Sequence, residues 1–402
     1  MTSKIIPIFF GVLTRLFQNL IIYVLLARIF EPEEFAFLAL VFSLVLMFAN
    51  MLDFGLRLRI GVEFSKISND FSKFISIWLT VKIIGFFVFL IVLCSYIFYL
   101  VDSPSEGLYF ILALVSGLLL TIAYFFTYFL SADEHYVPEI LLNILLLIGS
   151  LVAFILMVAT ENSIWFILLL LFTNIMCLAL SYYLFVKKFG NFKFSLRQLS
   201  KESFFQELRE GMPYALHLFF TIFNGYFDVV MIELLSDRLV LADYQILTRI
   251  IMGLTLPLVV LTIFLPPRLR KHKMPIRFGK LINKLLILLF VFVSFFYYVL
   301  DSDLISLIFG DSYLHLSKFT WFVIFILGMK YLQIVPGTFI TFYVSQMTRA
   351  ISLIITSVFM VIGFIILVPI YNIEGGLIAL AMSNLILLFL YWYHQRNVKE
   401  KV

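Results

Sequence analysis

Long apolar runs recur along the whole sequence, and they constrain the fold more than any other feature. A helix needs about 20 apolar residues to cross a hydrocarbon core about 30 Å thick, and twelve runs reach that length. The runs are continuous rather than alternating, which favours helices over the strands of a membrane β-barrel. The predicted membrane helices span residues 5–29, 35–56, 75–101, 107–131, 137–159, 163–186, 211–234, 241–265, 281–300, 319–343, 350–370 and 375–393.

The composition supports a membrane protein, since 63% of the residues are hydrophobic and 13% are charged, far outside the range of soluble globular proteins. The longest polar interruption, at residues 187–213, follows the sixth run and divides the chain into two halves. We therefore predict an all-α integral membrane protein of about twelve transmembrane helices, arranged as two six-helix bundles around a central cavity. The bundles would comprise residues 1–186 and 211–402, joined by a cytoplasmic amphipathic linker at 187–210.

The basic residues predict the orientation of the chain. Loops rich in Lys and Arg stay cytoplasmic, and most of the 29 Lys and Arg residues fall on one side if the N-terminus is cytoplasmic. An even number of helices then places both termini in the cytoplasm. The basic loops would face anionic lipid headgroups, so the net charge of +5 does not require a nucleic acid partner.

Four basic residues lie inside predicted spans, where a charge costs about 2.5–3.5 kcal/mol and needs compensation. Arg15 and Lys330 are too central to reach the interface easily, so they line a wet cavity or pair with a buried acid such as Asp228 or Asp53. Lys82 is closer to a helix end and could simply extend to the interface. The cavity is favoured because basic residues within the spans outnumber the central acids. The four residues are Arg15, Lys82, Arg249 and Lys330.

Polar side chains also follow helical spacing in two predicted spans. His217, Thr221, Asn224 and Asp228 form one stripe along an apolar segment, and Gln245 precedes Arg249 by one turn. The stripe could be a proton relay or cation site that uses His217 and Asp228. A hydrogen-bonded helix contact explains it equally well.

Enzyme chemistry has little support in the sequence. The segment FGKL at 278–281 lacks the glycine and hydroxyl residue of a nucleotide-binding loop, and the five histidines form no metal-ligand cluster. The DSD triplet at 301–303 formally matches a metal-binding motif of membrane glycosyltransferases, but three-residue matches are common, and we place this one in a short outer loop. We expect no enzymatic activity, no cofactor and no metal.

Five stretches resemble a known superfamily. They resemble polysaccharide exporters of the multidrug/oligosaccharidyl-lipid/polysaccharide exporter superfamily, with Wzx-type O-antigen flippases as the best match. Ala36 and the pair at 372–373 depart from the family pattern in two loops. The stretches are YVLLARIFEPEEFAFLAL (23–40), MLDFGL (51–56), EGMPYALHLFFTIFNGYFDVVMI (210–232), IFGDSY (308–313) and LVPIYNIEGGLIALAMSN (367–384).

The resemblance implies a flippase of the bacterial inner membrane. Such a protein moves an undecaprenyl-diphosphate-linked oligosaccharide, such as the O-antigen repeat unit of lipopolysaccharide, from the cytoplasmic to the periplasmic leaflet by alternating access. The resemblance also implies a cationic cavity with arginines from helices one, two and eight. Arg15 and Arg249 match those helices, and Arg57 matches only if the second helix extends further than drawn. Partners would be membrane lipids, a polysaccharide polymerase and a chain-length regulator.

Together with the residue types, the resemblance implies roles for ten polar residues within the spans. Guanidinium and ammonium groups are suited to the diphosphate, amides to sugar hydroxyls, and the acid and histidine to ion coupling. The diphosphate residues would be Arg15, Arg249, Lys330 and Lys82; the sugar residues Gln18, Asn19, Asn224 and Gln245; and the coupling residues Asp228 and His217.

Two other functions stay open. A cation-coupled multidrug-type exporter would prefer acids in its cavity, whereas this chain places mostly bases there. A membrane glycan polymerase or glycosyltransferase would need a larger outer segment than residues 301–318, and mutation of Asp301 and Asp303 would test it.

Overall fold

The computed structural model describes residues 2–67, 71–100, 104–133, 135–191, 201–258 and 276–399. Every long element within these ranges is a helix. The elements are α1 (Thr2–Ile29), α2 (Pro32–Met51), α3 (Leu56–Ile67), α4 (Phe71–Leu100), α5 (Pro104–Ala132), α6 (Val137–Thr160), α7 (Ile164–Phe189), α8 (Lys201–Leu235), α9 (Arg238–Leu254), α10 (Ile276–Phe309), a 3₁₀ helix (Asp311–Phe319), α11 (Thr320–Tyr343) and α12 (Gln346–Lys399).

Within the described ranges, nine helices are long and apolar enough to cross a membrane. Many of their large apolar side chains remain exposed, among them Ile91 at 68% and Leu288 at 69%, as expected for surfaces that contact lipid. α12 covers the last two predicted spans. It is interrupted between them at Asn372, where φ is 48° and ψ is −123°. The predicted all-α integral membrane fold class is confirmed.

Two predicted boundaries differ from the structure. The second span was drawn to residue 56, but α2 ends at Met51, and a turn leads into α3. Phe54 and Gly55 both have positive φ in this turn, and a Cβ on Gly55 would lie 2.4 Å from the backbone oxygen of Tyr214. The close approach of α8 therefore requires glycine here. The seventh span was drawn from residue 211, but α8 begins earlier, at Lys201 within the predicted linker, and continues through Pro213 to Leu235.

The helices form two compact units, one made of Met1–Ile22 with Val41–Ile222 and the other of Tyr23–Leu40 with Phe223–Val402. The boundary falls inside α1, α2 and α8, so each of these helices contributes to both units. The domain limits predicted from the polar interruption stay a prediction.

The first unit has an aromatic core and a buried ionic network. Rings on α4, α5 and α7 meet edge to face, with Phe74 and Phe185 both within 6 Å of Phe129 between ring centroids. Arg59 on α3 is 1% exposed. Its guanidinium lies 2.7 Å from a carboxylate oxygen of Glu207 and 3.5 Å from one of Glu210, which fixes the start of α8 to α3.

In the second unit, the tip of the α1–α2 hairpin packs against the end of α10 and the 3₁₀ helix. Arg28 donates a hydrogen bond of 2.9 Å to the carbonyl of Ile308, at the C-terminal end of α10, where helix carbonyls lack helical partners. Phe35 meets Tyr313 edge to face, with ring centroids 6.1 Å apart. α11 and the second half of α12 are joined by Gln333, whose amide donates to the carbonyl of Asn384 at 2.7 Å.

Candidate anion-binding site

A buried carboxylate lies among the membrane-spanning helices of the second unit. Asp228, on the last part of α8, is 4% exposed. Its Oδ2 accepts a hydrogen bond of 2.8 Å from the hydroxyl of Tyr244 on α9, and its Oδ1 accepts one of 2.9 Å from the backbone N–H of Val229. Two neutral donors therefore hold the carboxylate in place.

Arg249 lies further along α9 and is 5% exposed. Its Nη2 donates to the hydroxyl of Tyr23 at 2.9 Å, and its Cζ lies 3.8 Å from the centroid of that ring. A guanidinium stacked on an aromatic face in this way is held in one orientation at little desolvation cost. Tyr23 comes from the α1 segment that belongs to the second unit.

Lys330, on α11 of the same unit, has a half-buried side chain. Among the site residues predicted in this unit, Arg249 and Lys330 are the two bases with full charges, and Asp228 is the acid. An excess of bases over acids within membrane-spanning helices favours an anionic ligand.

Two amides of the same unit have carbonyl oxygens available for a ligand. Gln245 is fully buried and donates from Nε2 to the carbonyl of Ala36 at 3.1 Å, while Asn224 donates from Nδ2 to the carbonyl of Leu353 at 3.3 Å. In both residues the side-chain oxygen is buried and accepts no hydrogen bond from the described part of the chain. These oxygens are suited to accept from hydroxyl groups.

Lys82 does not extend to the interface, since it is fully buried in the first unit. Its Nζ donates to the carbonyl of Leu52 at 2.7 Å and to the hydroxyl of Thr121 at 2.9 Å, and it lies 3.9 Å from Oδ1 of Asp53. The ammonium is therefore compensated locally and fixes the turn after α2. The sequence left open whether the central cations pair with a buried acid such as Asp53. Lys82 is the cation that lies next to Asp53.

The other predicted residues of the first unit do not form a described cluster with one another. Gln18 donates to the hydroxyl of Ser150 at 3.0 Å, and Asn19 is buried nearby on α1. His217 belongs to the first unit, whereas Asp228 belongs to the second, although both lie on α8. Arg15 lies on α1, and its side chain is outside the described part of the structure.

Tyr244 was not predicted as a site residue, although its hydroxyl donates to the Asp228 carboxylate. A signal was available, because a tyrosine inside a membrane helix needs a partner for its hydroxyl. Asp301 and Asp303 were predicted to lie in an outer loop, but both lie within α10. Asp301 accepts from the backbone N–H of Ser302 at 2.7 Å and from the hydroxyl of Thr320, so it serves as a local hydrogen-bond acceptor.

A sequence model of the family described as "Polysaccharide biosynthesis protein" matches residues 3–269, about two thirds of the chain. The chain belongs to this family. No curated protein sequence matches it. The family places the chain among membrane proteins of polysaccharide biosynthesis.

Solved structures of the MOP superfamily share the fold, at identities that inform on the fold alone. The inward closed conformation of the lipid II flippase MurJ has a TM-score of 0.72 and 14% identity, with 98% of this chain and 88% of that chain covered. The inward-facing conformation of a multidrug resistance MATE family transporter has a TM-score of 0.70 and 13% identity, with coverage of 96% and 95%.

A third structure is a MOP superfamily transporter from Pyrococcus furiosus, for which a binding pocket of reverse polarity suggests a different function. It has a TM-score of 0.61 and 13% identity, with 99% of this chain and 95% of that chain covered. The chain is therefore a multi-pass membrane protein with the fold of the transporters and flippases of this superfamily.

Proposed function

We propose that the protein is a flippase for an undecaprenyl-diphosphate-linked oligosaccharide, the precursor of O-antigen or of a related surface polysaccharide. It moves this lipid from the cytoplasmic to the periplasmic leaflet of a bacterial inner membrane by alternating access, with both termini in the cytoplasm. The observation that carries the proposal is the buried guanidinium of Arg249, which stacks on the ring of Tyr23 and donates to its hydroxyl in the unit that also contains Lys330. The polysaccharide biosynthesis family and the fold of the MurJ lipid II flippase support it.

The diphosphate is the part of such a substrate that most needs the protein. Its negative charges do not cross hydrocarbon unaided, and a guanidinium can bind two of its oxygens at once. We assign this role to Arg249 and Lys330 together with Arg15. Lys82 is left out, because its ammonium is fully buried and already bonded to Leu52 and Thr121.

The amides contact the sugars in this proposal. Gln245 and Asn224 each have a buried carbonyl oxygen that accepts no hydrogen bond from the described residues, and sugar hydroxyls are donors. Gln18 and Asn19 contribute from α1. The ion-coupling role predicted for Asp228 and His217 stays a prediction, as do the polymerase and chain-length regulator that would use the flipped product.

A multidrug exporter is the second candidate, favoured by the shared fold of a MATE family transporter. Cationic drugs require an excess of acid at the binding site, whereas the site residues predicted in the second unit include two bases, Arg249 and Lys330, and one acid, Asp228. Complementation distinguishes the two functions.

The test is to delete the gene in its host and restore it with variants. Loss of surface glycan, with full-length lipid-linked units trapped on the cytoplasmic face, is expected for the deletion and for Arg249→Ala and Lys330→Ala. Lys284→Ala is the matched control, because Lys284 is an exposed lysine on α10 of the same unit. Normal export by Arg249→Ala and Lys330→Ala at normal protein levels would reject the proposal. Periplasmic single units with only chain length affected would indicate a polymerase instead.

A further inference from the structure

A histidine joins two elements of the second unit. His315 lies on the 3₁₀ helix between α10 and α11, and its Nε2 lies 2.8 Å from Oδ2 of Asp243 on α9. Its Nδ1 lies 3.1 Å from the backbone carbonyl oxygen of Ser312. Both nitrogens of the ring therefore meet an oxygen at hydrogen-bond distance.

The two oxygens determine how many protons the ring needs. A carbonyl oxygen only accepts hydrogen bonds, and so does an ionised carboxylate. A neutral imidazole has one N–H and can donate to one of them, which leaves a lone pair facing the other oxygen. Only the imidazolium, with an N–H on each nitrogen, makes both hydrogen bonds of His315 at once.

His135 in the first unit has different neighbours. Its Nδ1 lies 2.8 Å from the backbone carbonyl oxygen of Asp133 and 3.4 Å from a carboxylate oxygen of the same residue, while its Nε2 lies 3.5 Å from Nζ of Lys188. An ammonium donates, so the neutral ring with its proton on Nδ1 satisfies these contacts. The side chains of His135 and His315 are similarly exposed, at 53% and 48%. Two histidines of similar exposure thus differ in the number of protons that their neighbours require.

The pair of His315 and Asp243 is one of three contacts that join the same elements. Tyr313 of the 3₁₀ helix meets Phe35 of α2 with ring centroids 6.1 Å apart, and Gln245 of α9 donates to the carbonyl of the next residue of α2 at 3.1 Å. The three contacts link the 3₁₀ helix, α2 and α9 to one another. Asp243 lies two residues before Gln245, so the pair helps to fix the part of α9 that carries a predicted sugar-binding residue.

Asp243 is the charged group that contacts His315 among the described residues. Tyr313 also lies near Asp243, but tyrosine keeps its proton between pH 5 and 8, whereas histidine changes its charge in that range. The other charged side chains on the surrounding elements are bound elsewhere, lie further along a helix or are exposed. Those bound elsewhere are Asp311 (to Ser306), Asp301 (to Ser302 and Thr320), Lys318 (over the ring of Phe319), Arg28 (to the carbonyl of Ile308) and Arg238 (to Glu233); those further along are Arg249 and Lys330; and the exposed ones are Asp303, Asp237, Glu31, Glu33 and Glu34.

We propose that His315 and Asp243 form a proton-dependent clamp, in which the imidazolium of His315 holds α9 against the 3₁₀ helix and loss of its proton releases α9. The neutral ring turns a lone pair toward either the carbonyl of Ser312 or the carboxylate of Asp243, so one of the two contacts becomes repulsive. The stability that the clamp adds is therefore present at low pH and is lost as pH rises through the titration of the histidine.

The clamp also regulates the flippase, and this step rests on the proposed function. Conformations in which α9 moves relative to the 3₁₀ helix are disfavoured while the ring is charged, because they separate the imidazolium from its carboxylate. Deprotonation removes this penalty. Flipping should therefore be faster when His315 is neutral.

The melting temperature of the purified full chain tests the clamp without any substrate. It is measured in detergent at constant ionic strength, at about pH 5.5 and about pH 8, on either side of the range in which histidine titrates. His315→Gln should lower the melting temperature by about 2 °C at the lower pH and leave it unchanged at the higher pH. Asp243→Asn keeps an oxygen acceptor without the charge and should give the same pattern. His135→Gln is the matched control and should lose no more at the lower pH than at the higher.

Two results of this measurement would overturn the inference. Equal losses for His315→Gln at both pH values would show that the neutral ring makes the contact. A loss in His135→Gln with the same pH dependence would show that the effect is not specific to the clamp. If Asp243→Asn does not fold, the comparison of the two histidine variants still decides between these outcomes.

Flipping in proteoliposomes gives the second readout. Exchange of a lipid-linked oligosaccharide by the wild-type chain should be about threefold faster at the higher pH than at the lower, since half-exposed ion pairs are worth under about 1 kcal/mol. His315→Gln should exchange the lipid at the same rate at both pH values. Equal wild-type rates at the two pH values would overturn the regulatory role. A wild-type chain that flips no lipid at either pH would contradict the proposed function, whereas the melting temperatures decide on the clamp independently of it.

Discussion

The buried pair of Lys82 and Asp53 yields a prediction that separates a structural lysine from a substrate-binding one. At a separation of 3.9 Å and an effective dielectric constant of about 20, the attraction between the two charges is about 4 kcal/mol. Lys82→Met would leave the Asp53 carboxylate uncompensated, and it would also remove the hydrogen bonds to Leu52 and Thr121. We expect a loss of about 3–5 kcal/mol in the free energy of unfolding.

The double variant Lys82→Met/Asp53→Asn removes both charges and should regain about 2–3 kcal/mol of that loss. Unfolding in mixed micelles measures these free energies, and Lys284→Met, at an exposed position, should change them by less than about 0.5 kcal/mol. Surface-glycan export by the double variant should approach that of the wild type. A double variant that is as stable as predicted but inactive would show that Lys82 contacts the substrate, and our reasoning would be wrong.

Three further predictions concern the stability of the fold. Arg59→Met isolates three glutamates and should destabilise the chain by about 2–4 kcal/mol, whereas Arg57→Met, at a side chain 42% exposed, should cost under about 1 kcal/mol; equal losses in micelle unfolding would contradict the role of the buried network. Gly55→Ala adds a Cβ 2.4 Å from a backbone oxygen and should sharply reduce folded protein in size-exclusion profiles, so a normal profile would refute the close approach. Asn372→Gly should raise the free energy of unfolding by about 1 kcal/mol, because it relieves a φ of 48° with ψ of −123°; a decrease would argue against strain at this position.

Much of the fold could be predicted because the length of an apolar run, which indicates whether a helix can cross a membrane, is a local property of the sequence. The break at Asn372 lies between the last two predicted spans, although the helix is continuous on either side of it. The end of α2 could not be read in the same way. Residues 52–56 are apolar enough to continue a helix, and the positive φ of Phe54 and Gly55 becomes understandable only once α8 is known to approach this turn.

The sequence indicates which residue types belong to the candidate site, but it does not indicate which of these residues are neighbours in space. Arg249 and Lys330 are conspicuous because charges are rare within membrane spans. The partner that compensates Lys82 is Asp53, which is 29 residues away in sequence, in the turn between α2 and α3, so helical periodicity within one element could not identify it. The stripe from His217 to Asp228 has the expected helical spacing along α8. The boundary between the two units falls within it, so His217 belongs to the first unit and Asp228 to the second.

The most direct test of the central claim is to measure flipping in proteoliposomes. A fluorescent undecaprenyl-diphosphate oligosaccharide is placed in vesicles with the purified chain, and a membrane-impermeant quencher reports how fast it exchanges between leaflets. Our account predicts rapid exchange with the wild-type chain and with Lys284→Ala, and exchange no faster than in protein-free vesicles with the double variant Arg249→Ala/Lys330→Ala. Wild-type exchange at the protein-free rate, or full activity of a folded double variant, would contradict it.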